Sequence, residues 1–292
     1  MNTALVNEIL TSRLMIAQQG IDQITDILSD ARKNQPVSAS SLIAWAENMV
    51  GNTSDIDSSV LVLPIIGVMT KYARWDWSGD NLDLIIPGID DVATVIALAQ
   101  NNKKIKGVIL LMNTPGGSVQ SWIRIEEALR KRVKPCIAVV DGLCASAGMY
   151  VASYCDRIIA LNATCQVGSI GVMAQLLDSS EAEKNMGLRF IEVYPPESNW
   201  KNRSFRDALE GNTDTLIEEE LSPLAKHFQD TMRRNRTINE DIEGVLSGRM
   251  FYAGDAIKAG LVDDIMTLQD AISLVGTTAD ERAEITNTII NP

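Results

Sequence analysis

Two short glycine-bearing stretches, MNTPGGSV at 112–119 and DGLCASAGMY at 141–150, carry the residue types best suited to acyl chemistry. Each follows an apolar run and leads into a helical pattern. In a parallel sheet such turns gather at the carboxyl edge of the strands, so the two are expected to be neighbours. In the first, Pro115 fixes one backbone angle, while Gly116 and Gly117 permit conformations that a Cβ forbids. That combination suits exposed N–H donors able to hold an oxyanion, although a tight strand-to-helix turn is the plainer reading. The glycine patterns of nucleotide phosphate loops are absent from the sequence. In the second stretch Ser146 stands at or near a helix start, where unpaired N–H groups and the helix dipole favour developing negative charge. It reads either as a nucleophile or as a helix N-cap.

A serine nucleophile needs a base, and the chain has one histidine. His227 lies in LSPLAKHFQDTMRRN, an amphipathic helical pattern with no motif around it, and reads as solvated or packed. The remaining class is a Ser-Lys dyad, in which a lysine takes the serine proton. Such a lysine must be held neutral near pH 7 by burial beside apolar groups, at a cost of about 4 kcal/mol. Lys184 and Lys226 fall on helix faces and read as solvated. Lys201 follows Trp200 in the loop PPESNWKNRSF, with Pro195, Pro196 and Phe205 close in sequence, and is the candidate base.

The elements that must position these residues follow from hydrophobic periodicity. Residues 3–33 carry apolar positions at helical spacing (Leu5, Ile9, Ile16, Ile24, Ile27, Leu28), and a second short helix is predicted over Leu42 to Val50. With the polar linker GNTSDIDSS they make a helical N-terminal extension, residues 1–55. From VLVLPIIGVM onward, short apolar runs alternate with helical patterns. Strands are predicted at KGVILLMN, KPCIAVVDG, RIIALN and LRFIEVY, with GSIGVMAQLL a strand or turn. Helices are predicted at Val119 to Lys131, Ser146 to Tyr154, Ser179 to Met186 and Thr213 to Asn235, and AIKAGLVDDI and LQDAISLVG close the domain. This alternation predicts an α/β domain with a mostly parallel sheet over 56–276, followed by a loose polar tail over 277–292.

Composition narrows the classes further. At 46% apolar residues the chain is globular, and a formal net charge of −12 argues against phosphate neutralisation, so nucleic acid is not an expected partner. No apolar run approaches the roughly 18 residues of a membrane span, and the N-terminal segment reads as neither secretory signal nor anchor. Cys136, Cys144, Cys155 and Cys165 form no CxxC pair, and reduced buried thiols in a cytoplasmic protein are expected.

Taken together and in order, VLVLPIIGVMTK, KGVILLMNTPGGSV, CIAVVDGLCASAGMYVASYCDRIIA, QVGSIGV, NWKNRSF and AIKAGLVDDI resemble the signal peptide peptidase A family of serine peptidases. The resemblance covers about residues 60 to 275 and is nearest to the short, anchorless forms that tailed phages and prophages use as head-maturation proteases. It implies a ClpP/crotonase-like fold of repeated ββα units and peptide-bond hydrolysis by a Ser-Lys dyad without metal or other cofactor. Carried over, Ser146 is the nucleophile, Lys201 the base, Gly117 and Ala147 the oxyanion donors, and Ser169 the residue that orients the lysine. Two departures are visible: Ala147 stands where the family usually has glycine, and KNRSF replaces a small, glycine-containing segment. The implied partners are a scaffold or capsid protein, the chain itself as substrate, and further copies in a homo-oligomer. A crotonase-like acyl-CoA enzyme and a catalytically silent capsid-assembly module are the alternatives.

Overall fold

The computed structural model describes residues 14–16, 59–78, 81–178, 180–189 and 191–290, with 14–16, 74–86 and 286–290 described by backbone alone. Strand β1 (Leu14–Ile16) precedes β2 (Val60–Ile66), a hairpin of β3 (Arg74–Ser78) and β4 (Asn81–Ile86), and helix α1 (Ile89–Asn101). Then come β5 (Gly107–Thr114), β6 (Gly116–Ser118), α2 (Ile123–Arg130), β7 (Cys136–Ala145), α3 (Ala147–Ser153), β8 (Arg157–Ala160) and β9 (Gln166–Gly168). Helices α4 (Ser180–Asn185), α5 (Arg203–Leu209) and α6 (Asp214–Leu216) follow, the last running through a π turn into α7 (Ser222–Asn235). Strand β10 (Met250–Tyr252), α8 (Ala253–Lys258), β11 (Asp264–Ile265) and α9 (Leu268–Ile290) complete the described chain.

The central sheet is parallel through β2, β5 and β7, in that order. Beyond β7 its edge is shared: Ile137–Val140 pair with β8, whereas Leu143–Ala145 pair with β9. The division falls at Gly142, whose φ of +96° turns the strand between the two partners. Strand β10 adds antiparallel to β9, and β11 adds parallel to β8. This is the mixed α/β class with a mainly parallel sheet, and β5–β6–α2 is one ββα step.

The continuous apolar runs are explained by burial on both sheet faces. In β5, Val108, Leu110 and Met112 face the larger core with α1, α2, α3 and α7, while Ile109 and Leu111 face Ala271, Ile272 and Val275 of α9. All seven residues of α3 are buried, and at Gly148 the helix lies too close to β5 for a side chain. A Cβ on Gly148 would stand 2.7 Å from Thr114 Cγ2, closer than packed carbons approach. The four cysteines are free and buried, with the sulfurs of Cys136 and Cys155 3.8 Å apart.

Three expectations are corrected. Leu14–Ile16 is a strand, not part of a helix, because it pairs with β6 and tertiary pairing overrides local periodicity. LRFIEVY forms no strand in its described residues; Leu188, Ile191 and Val193 are exposed and meet no sheet edge. Residues 277–290, read as a loose tail, continue α9 instead, held by Lys106–Asp280 and Arg282–Asp156 ion pairs. The helix predicted over Leu42 to Val50 and the linker lie outside the described residues, as does most of the N-terminal extension.

Asp156 ties the domain together behind the sheet. Its Oδ2 accepts the Cys136 N–H at 2.8 Å, and its Oδ1 accepts from Arg132 at 2.7 Å and lies 2.9 Å from an Arg282 nitrogen. Burial raises its pKa, but the Cys136 N–H and the Arg132 charge outweigh that and hold the carboxyl below its ordinary value. Stability from a depressed carboxyl is complete above the unfolded-state value near 3.8 and is lost as pH falls through the folded-state value. Asp156→Asn is therefore expected to cost about 2 kcal/mol at pH 7, with the gap to the parent narrowing below pH ~4, as read by urea unfolding across pH.

Candidate active site

The site is built where two strand ends are forced side by side. Thr114, at the end of β5, pairs with Cys144 in β7, which sets the Pro115–Gly117 turn alongside residues 144–146. On the other side of β7, Ala145 pairs with Gly168, which puts Ser169 one residue beyond the pair that precedes Ser146. The structure thus brings Ser146, Ala147 and the Gly117 turn to one end of the sheet, the neighbourhood expected of the two turns, and sets Ser169 beside them.

Ser146 occupies the junction between β7 and α3 with φ 52° and ψ −117°, a region strongly disfavoured for a residue with a Cβ. Its N–H donates to the Gly168 carbonyl at 2.9 Å, and its carbonyl accepts the Tyr150 N–H at 3.0 Å, so both ends of the strained peptide are tied down. The helix starts immediately afterward, and the Ala147 N–H belongs to the first turn, where no carbonyl of the same helix can accept it. Strand β7 itself runs on through Gly142 to Ala145, so only Ser146 makes the sharp reversal that the sequence assigned to the whole glycine-rich stretch.

The alternative role of Ser146 as an N-cap fails on geometry. Its side chain makes no capping hydrogen bond; the residue is 1% exposed and its Oγ has no hydrogen-bond partner among the described residues. A buried hydroxyl without a partner costs about 1–3 kcal/mol, and its positive φ adds a cost of similar order. Cys144 lies two residues away, but burial drives its thiol pKa far up, so it stays protonated and weakly nucleophilic.

The turn at Gly117 is held by the main chain of Met69 and by one side chain, that of Thr114. The Met69 N–H donates to the Gly116 carbonyl at 2.8 Å, and the Ser118 N–H donates to the Met69 carbonyl at 2.9 Å. Gly117 lies between these bonds, and a Cβ there would come within 1.9 Å of the Met69 oxygen, so glycine is required by close approach. Thr114 Oγ1 donates to the Gly67 carbonyl at 2.6 Å and accepts the Gly116 N–H at 3.1 Å, fixing the turn from below. Met69 and Gly168 act here through backbone groups; QVGSIGV carries a signal for Gly168, whereas nothing in the local sequence marks Met69.

Lys201 makes no hydrogen bond to Ser146 Oγ within this chain. It is exposed on a turn after Pro196–Ser198, its N–H donating to the Ser198 carbonyl at 3.0 Å. The loop is well braced: Arg203 stacks over Trp200 and Arg206 over Tyr194, each 4.4 Å from the ring centre, and Arg206 donates to the Asn199 carbonyl at 2.7 Å. Ser169 has φ 54° and is half-buried, with its N–H on the Arg249 carbonyl at 3.0 Å. His227 is engaged elsewhere, its Nε2 3.2 Å from the Tyr150 hydroxyl, which donates to Glu126 at 2.7 Å.

A strained, buried, unpartnered serine beside a turn of backbone donors is an arrangement suited to nucleophilic acyl transfer. Residues 128–282 match the family model described as Peptidase family S49, and the chain belongs to that family. Among its curated relatives, Protease 4 of Haemophilus influenzae is 27% identical over 201 residues, which cover 68% of this chain and 32% of that protein. Capsid assembly protease C of Escherichia phage lambda is 22% identical over 275 residues, covering 92% of this chain and 61% of the phage protein. The chain thus spans less than two thirds of either relative. A solved structure described as an enoyl-CoA hydratase/isomerase family member overlaps with a TM-score of 0.42 and 16% identity, covering 81% of this chain and 74% of that one. No helix among the described residues is long and apolar enough to cross a membrane.

The backbone cost at Ser146 is measurable. Ser146→Gly is expected to be more stable than Ser146→Ala by about 1 kcal/mol, because both lose the buried hydroxyl but only glycine relaxes the positive φ. Paired thermal or urea unfolding of the two variants checks this, and equal stability would contradict a strained turn.

Proposed function

We propose that this chain is a serine endopeptidase in which Ser146 attacks a peptide carbonyl and Lys201 serves as general base. The observation that carries this reading is the Ser146 hydroxyl, buried and unpartnered at a strained turn beside Gly117. The neutral Lys201 amine takes the Ser146 proton, and the N–H groups of Gly117 and Ala147 hold the tetrahedral oxyanion. The protonated lysine then delivers that proton to the leaving amine. Water, deprotonated by the same lysine, hydrolyses the acyl-enzyme. Ser169 orients the lysine. Loss of one oxyanion donor typically costs about a hundred- to a thousandfold in rate.

Lys201 makes no hydrogen bond to Ser146 Oγ in the single chain, and we place the completed dyad in an assembly with further copies of the chain. Support comes from the segment between β9 and the lysine loop, which exposes Leu177, Met186, Ile191 and Val193 at 82%, 67%, 72% and 85%. Large apolar side chains this exposed in one short segment favour a protein contact. The substrate we propose is a phage scaffold or capsid protein, processed in the host cytoplasm or inside a precursor head. That reading is supported by the likeness to the lambda protease across 92% of this chain.

The test is cleavage of casein and of the cognate scaffold protein by the purified chain beside Ser146→Ala and Lys201→Ala. Both variants are expected to lose activity by about a thousandfold or more while keeping their circular-dichroism spectra. Undiminished cleavage in both sinks the dyad, and no cleavage by the parent chain moves the assignment to a silent assembly module. A double variant Ile191→Asp, Val193→Asp is expected to sediment as a smaller species and to lose at least about tenfold in activity. Unchanged sedimentation with full activity would remove that surface from the assembly.

A further inference from the structure

A strand of three residues lies against the Gly117 turn. Strand β1 runs antiparallel to β6 with Leu14 opposite Ser118, Met15 opposite Gly117 and Ile16 opposite Gly116. The other side of β6 is already used, since the Gly116 carbonyl and the Ser118 N–H are both bonded to Met69. Along an extended strand the N–H and C=O of one residue point to the same side, and those of the next residue to the opposite side. The N–H and C=O of Gly117 are therefore turned toward β1.

In an antiparallel pair, directly opposed residues whose polar groups face one another exchange two hydrogen bonds. Met15 and Gly117 form such a pair. The Met15 carbonyl is set to accept the Gly117 N–H, the donor assigned above to the oxyanion, and the Met15 N–H is set to donate to the Gly117 carbonyl. An extended peptide awaiting attack makes this same pairing: one carbonyl in the oxyanion site, anchored by strand addition on its acyl side.

We propose that Leu14–Ile16 is an internal substrate strand, and that the chain cleaves itself between Met15 and Ile16. This rests on the Ser146 reading of the site. Ser146 Oγ adds to the Met15 carbonyl carbon as its proton passes to the base. The carbon–nitrogen bond to Ile16 then breaks, and the proton moves from the base to the Ile16 nitrogen, which becomes a new N-terminal amine. Water hydrolyses the Met15 ester, releasing residues 1–15 with a free carboxylate and restoring the Ser146 hydroxyl. Until that cut, the strand covers the Gly117 donor and competes with any other peptide for it.

The experiment follows the full-length chain by intact mass and N-terminal sequencing during incubation, beside Ser146→Ala and Ile16→Pro, with casein cleavage measured on the same samples. The expected result is a product beginning at Ile16 in the parent chain, its absence in both variants, and cleavage of a synthetic peptide of residues 8–22 between Met15 and Ile16. Casein hydrolysis by the parent chain with Met15–Ile16 intact, or self-cleavage at another bond, overturns the internal-substrate proposal and leaves the peptidase reading standing. Neither casein hydrolysis nor self-cleavage overturns both. A product beginning at Ile16 that also forms in Ser146→Ala assigns the cut to another protease and overturns the proposal.

Discussion

A single backbone reversal at Ser146 sets the geometry on which the rest of this domain converges. Its φ of 52° is sustained by two main-chain bonds, one to Gly168 and one from Tyr150, and each draws in a different layer. Gly168 is held by pairing with Ala145, which requires β7 to turn away from β8 at Gly142 and meet β9. Tyr150 is held inside α3, whose complete burial requires the packing of α2 and α7 around Trp122, Phe228 and Met232. The strain is thus distributed over a sheet edge and a helix layer, the way a costly local conformation persists in a marginally stable chain.

The second half of the site has a different physical character. Around Gly117 no titratable side chain is used: Met69 holds the turn with its own N–H and C=O, and Thr114 locks it from below. Dipoles fixed this way need no reorganisation when charge develops, which is how main-chain donors achieve their effect in a site shielded from water. The aromatic cluster of Trp122, Tyr150, Tyr154 and His227 sits to one side. Its hydrogen bonds run to Glu126, and its role is to anchor α3 against α7.

Much of the sheet was legible because its strands are buried on both faces, so runs such as KGVILLMN carry an unambiguous signal. The two turns were legible because glycine and proline state backbone requirements directly. What failed depended on partners that a local window cannot supply. LRFIEVY has the composition of a strand, yet a strand exists only against an edge, and its described residues pair with none. The residues after 277 look polar in isolation, but their ion pairs to Lys106 and Asp156 carry the helix onward. Leu14–Ile16 fits a helical period and is captured by β6 instead. The sequence singles out the Lys201 loop, but whether its amine bonds Ser146 Oγ within one chain is a tertiary matter invisible to spacing.

The three residues of β6 offer an approaching chain only peptide groups, with no side chain at Gly116 or Gly117 to read composition. In the substrate pairing proposed for it, such an edge discriminates by conformation: a stretch already extended and unpaired can take the place of β1, and the same sequence wound into a helix or locked in another sheet cannot. On that proposal, selection falls on the foldedness of the target, and a protein becomes accessible or protected according to its own state of assembly.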